Sequence, residues 1–320
     1  MKLFVFAKKQ RICNIGGIKI GGQPGDNPPV VIGSMFHEGD HLVEDRSARS
    51  FNRARAADLI KRQEQLSEET GIPALVDLEA RTADEMKAYL DFYLGVSDAP
   101  FAIDMWNAKA RMEVARHIAS LGIQDKVLYN SLTHFDNNLA DSATELKGLG
   151  FRHVVVQTYQ KAAMLPEETL KSLDEMLTII GPDTFDSVLV DTASVNLPAI
   201  AFSCLASRLV KERFGLPAGC CPTAGTFSWK KARALWGEEG LKVIDVAEHA
   251  LSSLMWNDFL FCGPIARAPR MFPALAATEM IRAVFRAYET GNLPEERSNP
   301  LNLFFDDFAD KWPEKLRGES

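Results

Sequence analysis

The sequence predicts an α/β fold, a closed (β/α)8 TIM barrel, on three observations. Short apolar runs alternate with spans of helical periodicity, eight of each, from residue 30 to residue 289. The runs are continuously apolar, as parallel strands buried on both faces require. Several of them end on Asp, Asn or Gln, so polar groups gather at the carboxyl ends of strands, where barrels bind ligands. No Gly/Ser/Pro linker interrupts the alternation. Residues 1–320 are therefore read as one domain, with 1–28 a hairpin and entry loop and 291–320 a C-terminal extension.

In order, residues 11–22 form a hairpin turning at Gly16-Gly17. No Gly-Lys-Ser/Thr follows these glycines, which favours a turn over a phosphate cradle. A turn-rich entry, 23–29, leads into strand 30–36 and then a polar loop, 37–49, long enough to cover a site. Helix 52–69 precedes strand 72–78, with Asp77 and Glu79 near its end, and helix 83–94 precedes strand 100–106, with Asp104. The next helix, 107–121, carries Met112, Ala115, Ile118 and Ala119 at helical spacing and Gly122 as its cap. It leads to strand 126–131, which closes on Asn130 and Ser131. Helix 137–149 precedes strand 153–159 with Gln157, and helix 167–180 precedes strand 187–192 with Asp191 and Thr192. Helix 199–214, strand 218–223, helices across 229–256, strand 258–263 and helix 274–289 complete the set. The polar tail carries one aromatic stripe, 303–308, read as an amphipathic segment packed on the barrel or on a partner.

Composition excludes several classes. Net charge is −7 and no Lys/Arg run exceeds two residues, which argues against a nucleic-acid partner. No apolar stretch approaches the roughly 18 residues of a membrane span. The amino terminus is too short and too charged for a signal peptide, so a cytoplasmic location is expected. Five cysteines, odd in number and irregular in spacing, point to reduced thiols.

The alternation gathers Asp77, Asp104, Asn130, Ser131, Gln157, Asp191 and Thr192 at one mouth. Ionised carboxylates only accept hydrogen bonds, and no basic residue belongs to this set. Such a site is poor for phosphate and suits a neutral or weakly cationic ligand rich in N–H donors. A pterin edge, with N3–H, an exocyclic amino group and N8–H in one plane, is such a ligand. A strand-end Asp also caps helices; for Asp104 alone both roles stand, and the convergence of the set favours the ligand.

Cys220-Cys221 and Cys262, with His37 and His134, raise a zinc site, but the spacing fits no zinc pattern and adjacent strand residues point opposite ways. Buried thiols and no metal are expected. His153 and His249 read as surface or satisfied core residues, and Met35, Met105 and Trp106 as packing or as a platform for a ring.

Gly21-Gly-Gln-Pro-Gly25, Ile32-Gly-Ser34, Val43-Glu-Asp45, Tyr129-Asn-Ser131, Gly215-Leu-Pro-Ala-Gly219, Gly263-Pro-Ile265 and Asn299-Pro-Leu301 occur in that order. In these blocks, from about Ile15 to Leu303, the sequence resembles the H-type methyltransferase component of tetrahydromethanopterin S-methyltransferase. It is similar as well to the bacterial tetrahydrofolate–corrinoid methyltransferases of glycine betaine and chloromethane catabolism. More remotely it is similar to pterin-binding barrels that pass a methyl group to a corrinoid iron–sulfur protein, in which Asp, Asn and Asp at strand ends grip the pterin. The matching positions are Asp104, Asn130 and Asp191.

The resemblance implies a pterin-binding methyltransferase that exchanges a methyl group between N5 of tetrahydrofolate (as 5-methyltetrahydrofolate) and the cobalt of a corrinoid, cobalamin, held by a separate corrinoid protein. It implies catabolic demethylation feeding one-carbon metabolism, and a homodimer. A tertiary amine leaves poorly unless N5 is protonated or hydrogen-bonded, so alignment and a polar contact to N5 are the protein's tasks. Asp191, Asn130 and Thr223 are assigned to catalysis; Asp104, Asn130, Ser131, Asp191, Asp77 and Gln157 to the pterin. Lys230, Lys231 and Arg233 either meet the glutamate tail of folate or form a solvated helix face. One departure stands out: where the family carries an Asn near N5, alignment places Ala224, with Thr223, Thr226 or water as substitutes. Two other readings remain open. One is a pterin barrel of the dihydropteroate synthase type, which would want Lys/Arg at strand ends; the other is a non-catalytic pterin-binding or corrinoid-protein-docking component.

Overall fold

The computed structural model describes residues 2–136, 138–160, 164–181 and 183–308. Two short strands, β1 (Ile12–Ile15) and β2 (Ile18–Gly21), pair antiparallel across Gly16 and Gly17, both at positive φ. The first barrel strand is β3 (Val30–Met35). The loop after it is not plain coil: β4 (Val43–Asp45) and β5 (Ser50–Phe51) form a small ribbon. Six β/α units follow: α1 (Arg53–Thr70) and β6 (Ala74–Glu79), α2 (Ala83–Leu94) and β7 (Phe101–Asp104), α3 (Ala108–Leu121) and β8 (Val127–Thr133), α4 (Leu139–Gly148) and β9 (His153–Gln157), α5 (Pro166–Ile180) and β10 (Ser187–Asp191), α6 (Ile200–Arg213) and β11 (Ala218–Cys220). Then come α7 (Thr223–Ser228), α8 (Lys230–Leu254), β12 (Phe259–Pro264), α9 (Ala268–Thr290) and α10 (Pro300–Phe304).

The eight strands β3 and β6 to β12 close into one parallel barrel, each beside its neighbours in sequence, as the alternation predicts. Local chemistry sets the helix limits. Asn52, Thr82, Asn107 and Asn138 cap the amino ends of α1 to α4 with their side chains, and Gly71 and Gly122 end α1 and α3 in the left-handed conformation. The last barrel helix starts six residues earlier than residue 274, and Pro273 lies inside it.

The barrel interior is layered. Val30, Ile32, Leu75, Ala102, Leu128, Val155, Leu189 and Phe259 form one buried cluster with Cys13, Ile15 and Ile20 of the β1–β2 hairpin. The hairpin therefore stoppers the amino-terminal end. Buried Lys211 locks this end, with its Nζ 2.7 Å from Asp258 and donating to the Gly22 carbonyl at 3.0 Å. In the described part of the tail, Asn299, Pro300 and Leu301 are buried, while Leu303, Phe304 and Phe305 are exposed. Leu303, Phe304 and Phe305 of the stripe therefore do not pack on the barrel, as one of its two expected roles required; Asn299-Pro-Leu supplies the packed residues instead. Residues 309–320 of the extension, and Asn137 of the fourth predicted helix, lie outside the described residues.

Candidate active site

Strand alternation builds the site directly on the apolar layer. Side chains repeat every second residue, so two positions beyond an inward apolar residue is another inward position, at the carboxyl end. Ile32 is followed by Ser34, Leu75 by Asp77 and Glu79, Ala102 by Asp104, Leu128 by Asn130, Val155 by Gln157 and Leu189 by Asp191. All these polar residues line one cavity of about 710 Å³, a size suited to a small ligand. Sheet register sets Glu79, Asp104 and Asn130 in one row and Gln157 beside Asp191, while Ser34 and Asp77 form a row one inward position deeper, Asp77 beside Ala102.

Ser131 lines the cavity too, although it is adjacent to Asn130. A register shift between Tyr129 and Leu132 breaks the alternation there and turns both residues inward.

Hydrogen bonds orient the set. Asn130 Nδ2 donates to Asp77 Oδ2 at 3.2 Å, and Gln157 Nε2 to Asp191 Oδ2 at 3.1 Å. Asp191 Oδ1 accepts from the Ala193 backbone N–H at 2.8 Å. Asp77 Oδ1 is buried with no partner. An unpaired buried acceptor carries a desolvation cost that a donor-bearing ligand relieves.

Four carboxyls share the mouth, and burial works against their charge. Burial, then the charges of Asp104 and Glu79, raises Asp77 well above the usual carboxylate range. Burial and Asp104 push Glu79 up to about 8. Asp104 rises to about 6 through burial, with the Arg111 guanidinium opposing the shift. Burial also raises Asp191, against its hydrogen bonds from Ala193 and Gln157. At neutral pH Asp104 is largely ionised and Glu79 largely protonated, so the mouth holds acceptors and a proton together.

Two expected members are elsewhere. Thr192 Oγ1 hydrogen-bonds Ser203 Oγ at 2.7 Å and the Gly219 carbonyl at 3.0 Å, behind the strands. Thr223 does not line the cavity: its Oγ1 lies 3.4 Å from His249 Nε2 and 3.3 Å from an Arg267 nitrogen. The strand before it stops at Cys220, so Thr223 already opens α7 and turns toward α8. Cys221 takes the lining position at that strand end, its thiol pushed up to about 12 by burial and by Asp191. Ala224 is likewise not a lining residue.

The structure adds residues outside the predicted set. Glu79 and Ser34 belong to the lining. So does Arg111, from the first turn of α3, whose Nη2 donates to both carboxylate oxygens of buried Asp136, at 2.9 and 3.2 Å. The mouth is thus not free of basic groups, yet the Arg111 charge is already neutralised. At the rim stand Lys109 and three aromatics, Trp106, Phe135 and Tyr159; Trp106 is 93% exposed. Met35 is a buried packing residue, whereas Met105, though buried in the chain, lines the cavity.

His153 is buried with Nδ1 2.9 Å from Ser187 Oγ, and buried His249 donates through Nδ1 to the Asp245 carbonyl, 2.6 Å away; both are satisfied core residues. The cysteines and His37 or His134 do not converge. Among the described residues, Asp245, Glu248 and His249 form the one group of three potential metal ligands, and Arg267 and Arg270 occupy the Asp245 carboxylate. Among the same residues, no helix is long and apolar enough to cross a membrane.

The sequence profile described as "Tetrahydromethanopterin S-methyltransferase MtrH subunit" matches residues 8–292. The chain belongs to this family. It is 31% identical over 295 residues to the H-type component of tetrahydromethanopterin S-methyltransferase from Methanothermobacter marburgensis, covering 87% of this chain and 93% of that protein. It is 30% identical over 322 residues to the H-type component of the putative methyltransferase mtx from Methanosarcina barkeri, covering 94% and 99%. Among solved structures, a Xanthomonas albilineans dihydropteroate synthase with 4-aminobenzoic acid superposes with a TM-score of 0.59 at 15% identity, covering 87% of this chain and all of that one. This last likeness concerns the barrel fold alone. Family membership makes the chain a methyltransferase-family barrel, and the names of the family and of the Methanothermobacter relative carry tetrahydromethanopterin where the resemblance had implied tetrahydrofolate.

Proposed function

We propose that this chain transfers a methyl group between N5 of a reduced pterin and the cobalt of a corrinoid carried by a separate protein. The pterin ring is the part that tetrahydrofolate and tetrahydromethanopterin share. The observation that carries the reading is the set of inward polar groups lining one mouth, Asp104, Asn130 and Asp191 with Asp77 one inward position deeper, its Oδ1 left unpaired. A planar edge of N–H donors satisfies such a set, and carboxylates paired in this way hold orientation as well as affinity.

The corrinoid supplies the nucleophilic or methylated metal. The chain supplies the rest. Asp104, Asn130 and Asp191 hold the ring against the apolar floor of Ile32 and its neighbours. Glu79, protonated at neutral pH, is the group able to place a proton at N5 when the methyl leaves, so that nitrogen departs as a neutral amine. It takes the part expected of an Asn where the sequence has Ala224. In the reverse direction the same carboxylate receives the proton as N5 attacks the methyl. Exposed Trp106 and Phe135 at the rim leave the mouth open toward a large partner.

The test mixes the purified chain with methylcob(III)alamin and either tetrahydrofolate or tetrahydromethanopterin and follows cob(I)alamin absorbance. Growth of that signal with one pterin supports the reading and names the carrier. Tight pterin binding without turnover supports a docking component instead, and no binding of either pterin overturns the proposal.

A further inference from the structure

A second cavity, of about 450 Å³, opens beside α7 and α8, on the loops that follow the seventh and eighth barrel strands. Its charge is opposite to that of the mouth. Five cations line it, Lys230, Arg233, Lys242, Arg267 and Arg270, against two carboxylates, Glu238 and Asp245. In a chain of net charge −7 this is a local reversal. The two arginines from the start of α9 share a single counter-ion: Asp245 is 3.0 Å from Arg267 and 2.6 Å from Arg270. Arg270 Nε is buried without a hydrogen-bond partner. Lys230 has no ion pair among the described residues. Arg233 and Lys242 are held only by exposed glutamates, pairs that contribute little and exchange readily.

The two cavities share a wall. Gly263 lines the mouth, and a Cβ placed on it would lie 2.9 Å from Thr223 Cγ2 and 3.5 Å from Arg267 Nη1, which belongs to the basic cavity. Barrels often bind phosphate at the loops after strands seven and eight. The mouth itself, with its four carboxyls and its neutralised Arg111, offers an anion only Lys109 at its rim.

On the reading given under the proposed function, we infer that the basic cavity is a subsite for the anionic tail of the pterin substrate, with the ring in the acidic mouth. The tail carries carboxylates in a folate and a phosphate with carboxylates in a methanopterin; both present the anionic oxygens that Lys and Arg recognise. Arg267 and Arg270 form the inner end and Lys230 and Arg233 the outer. The site then selects its substrate twice, by a donor-rich ring and by a negatively charged tail.

Calorimetry tests this with three ligands, tail-free 6-methyltetrahydropterin, tetrahydrofolate triglutamate and tetrahydromethanopterin, on the wild-type chain and on the Lys230→Gln/Arg233→Gln double variant. The two substitutions are on the helix surface, so folding is checked simply by circular dichroism. The wild type is expected to bind a tailed pterin about tenfold or more tighter than the tail-free one, and the double variant to lose most of that advantage while binding the tail-free pterin unchanged. Whichever tailed ligand loses more identifies carboxylate or phosphate as the favoured anion. Equal affinity for tailed and tail-free pterins, or a tail advantage retained in the variant, overturns the subsite and leaves the functional reading standing. Failure of the wild type to bind any of the three pterins removes the functional reading, and the subsite with it.

Discussion

Two adjacent layers of the same barrel interior differ in a single respect. The lower layer, Ile32, Leu75, Ala102, Leu128, Val155 and Leu189, is apolar and capped by the hairpin residues Ile15 and Ile20. The upper layer, two residues further along each of the same strands, is Ser34, Asp77, Asp104, Asn130, Gln157 and Asp191. One register and one set of backbones serve both. The first layer holds the barrel together, and the second withholds part of that stability: it keeps four carboxyls short of full hydration and one acceptor unpaired. Strain of this electrostatic kind is what a ligand relieves, which is why the polar layer, not the apolar one, specifies function.

The layers should respond oppositely to substitution. The largest expected effect is Leu128→Ala, which opens a cavity in the apolar layer and should cost about 2–5 kcal/mol of stability in a urea titration. Pterin affinity in the folded fraction should stay close to wild type. Asp191→Ala should do the reverse, weakening pterin binding by on the order of 100-fold, or about 2–3 kcal/mol, with little loss of stability. If Leu128→Ala spared stability while Asp191→Ala unfolded the chain, the division of labour between layers would be wrong.

Protonation sharpens the same contrast. The folded-state carboxyls of Asp104 and Glu79 lie above their ordinary values, so the folded chain binds the extra protons. Their contribution to stability is complete below about pH 4 and is lost as pH rises through about 6 for Asp104 and about 8 for Glu79. Glu79→Gln should flatten that dependence between roughly pH 4.5 and 8 in denaturation curves, and should slow methyl release from N5 by about 10²-fold. Pterin affinity should rise about tenfold from pH 5 to pH 7 as Asp104 ionises to accept N–H bonds, and Asp104→Asn should remove that rise. The smallest effect is expected at Thr223→Val: having no place on the cavity wall, Thr223 should change pterin affinity by less than about threefold.

The sequence made the polar layer legible because alternation is a local rule: once Leu189 is inward, Asp191 is too. It misplaced Thr223 because nothing local marks Cys220 as the last strand residue: Cys221 still faces the mouth, and Thr223, opening α7, already turns toward α8. Arg111 was invisible for a different reason. It sits on a helix, and only the fold brings its guanidinium back over the mouth to meet Asp136. Glu79 was visible near its strand end, but the proton it keeps depends on burial and on Asp104 across the register. The basic cavity was half legible: Lys230 and Arg233 form a cluster in sequence, whereas Arg267 and Arg270 join them only through the closure of the barrel.

The most direct test is a crystal structure of the chain with a tail-free tetrahydropterin. The ring is predicted to lie in the upper layer, with its N–H edge within hydrogen-bond distance of Asp104, Asn130 and Asp191 and a donor on Asp77 Oδ1. A ring seated in the basic cavity, or outside the mouth with those acceptors untouched, would contradict the account.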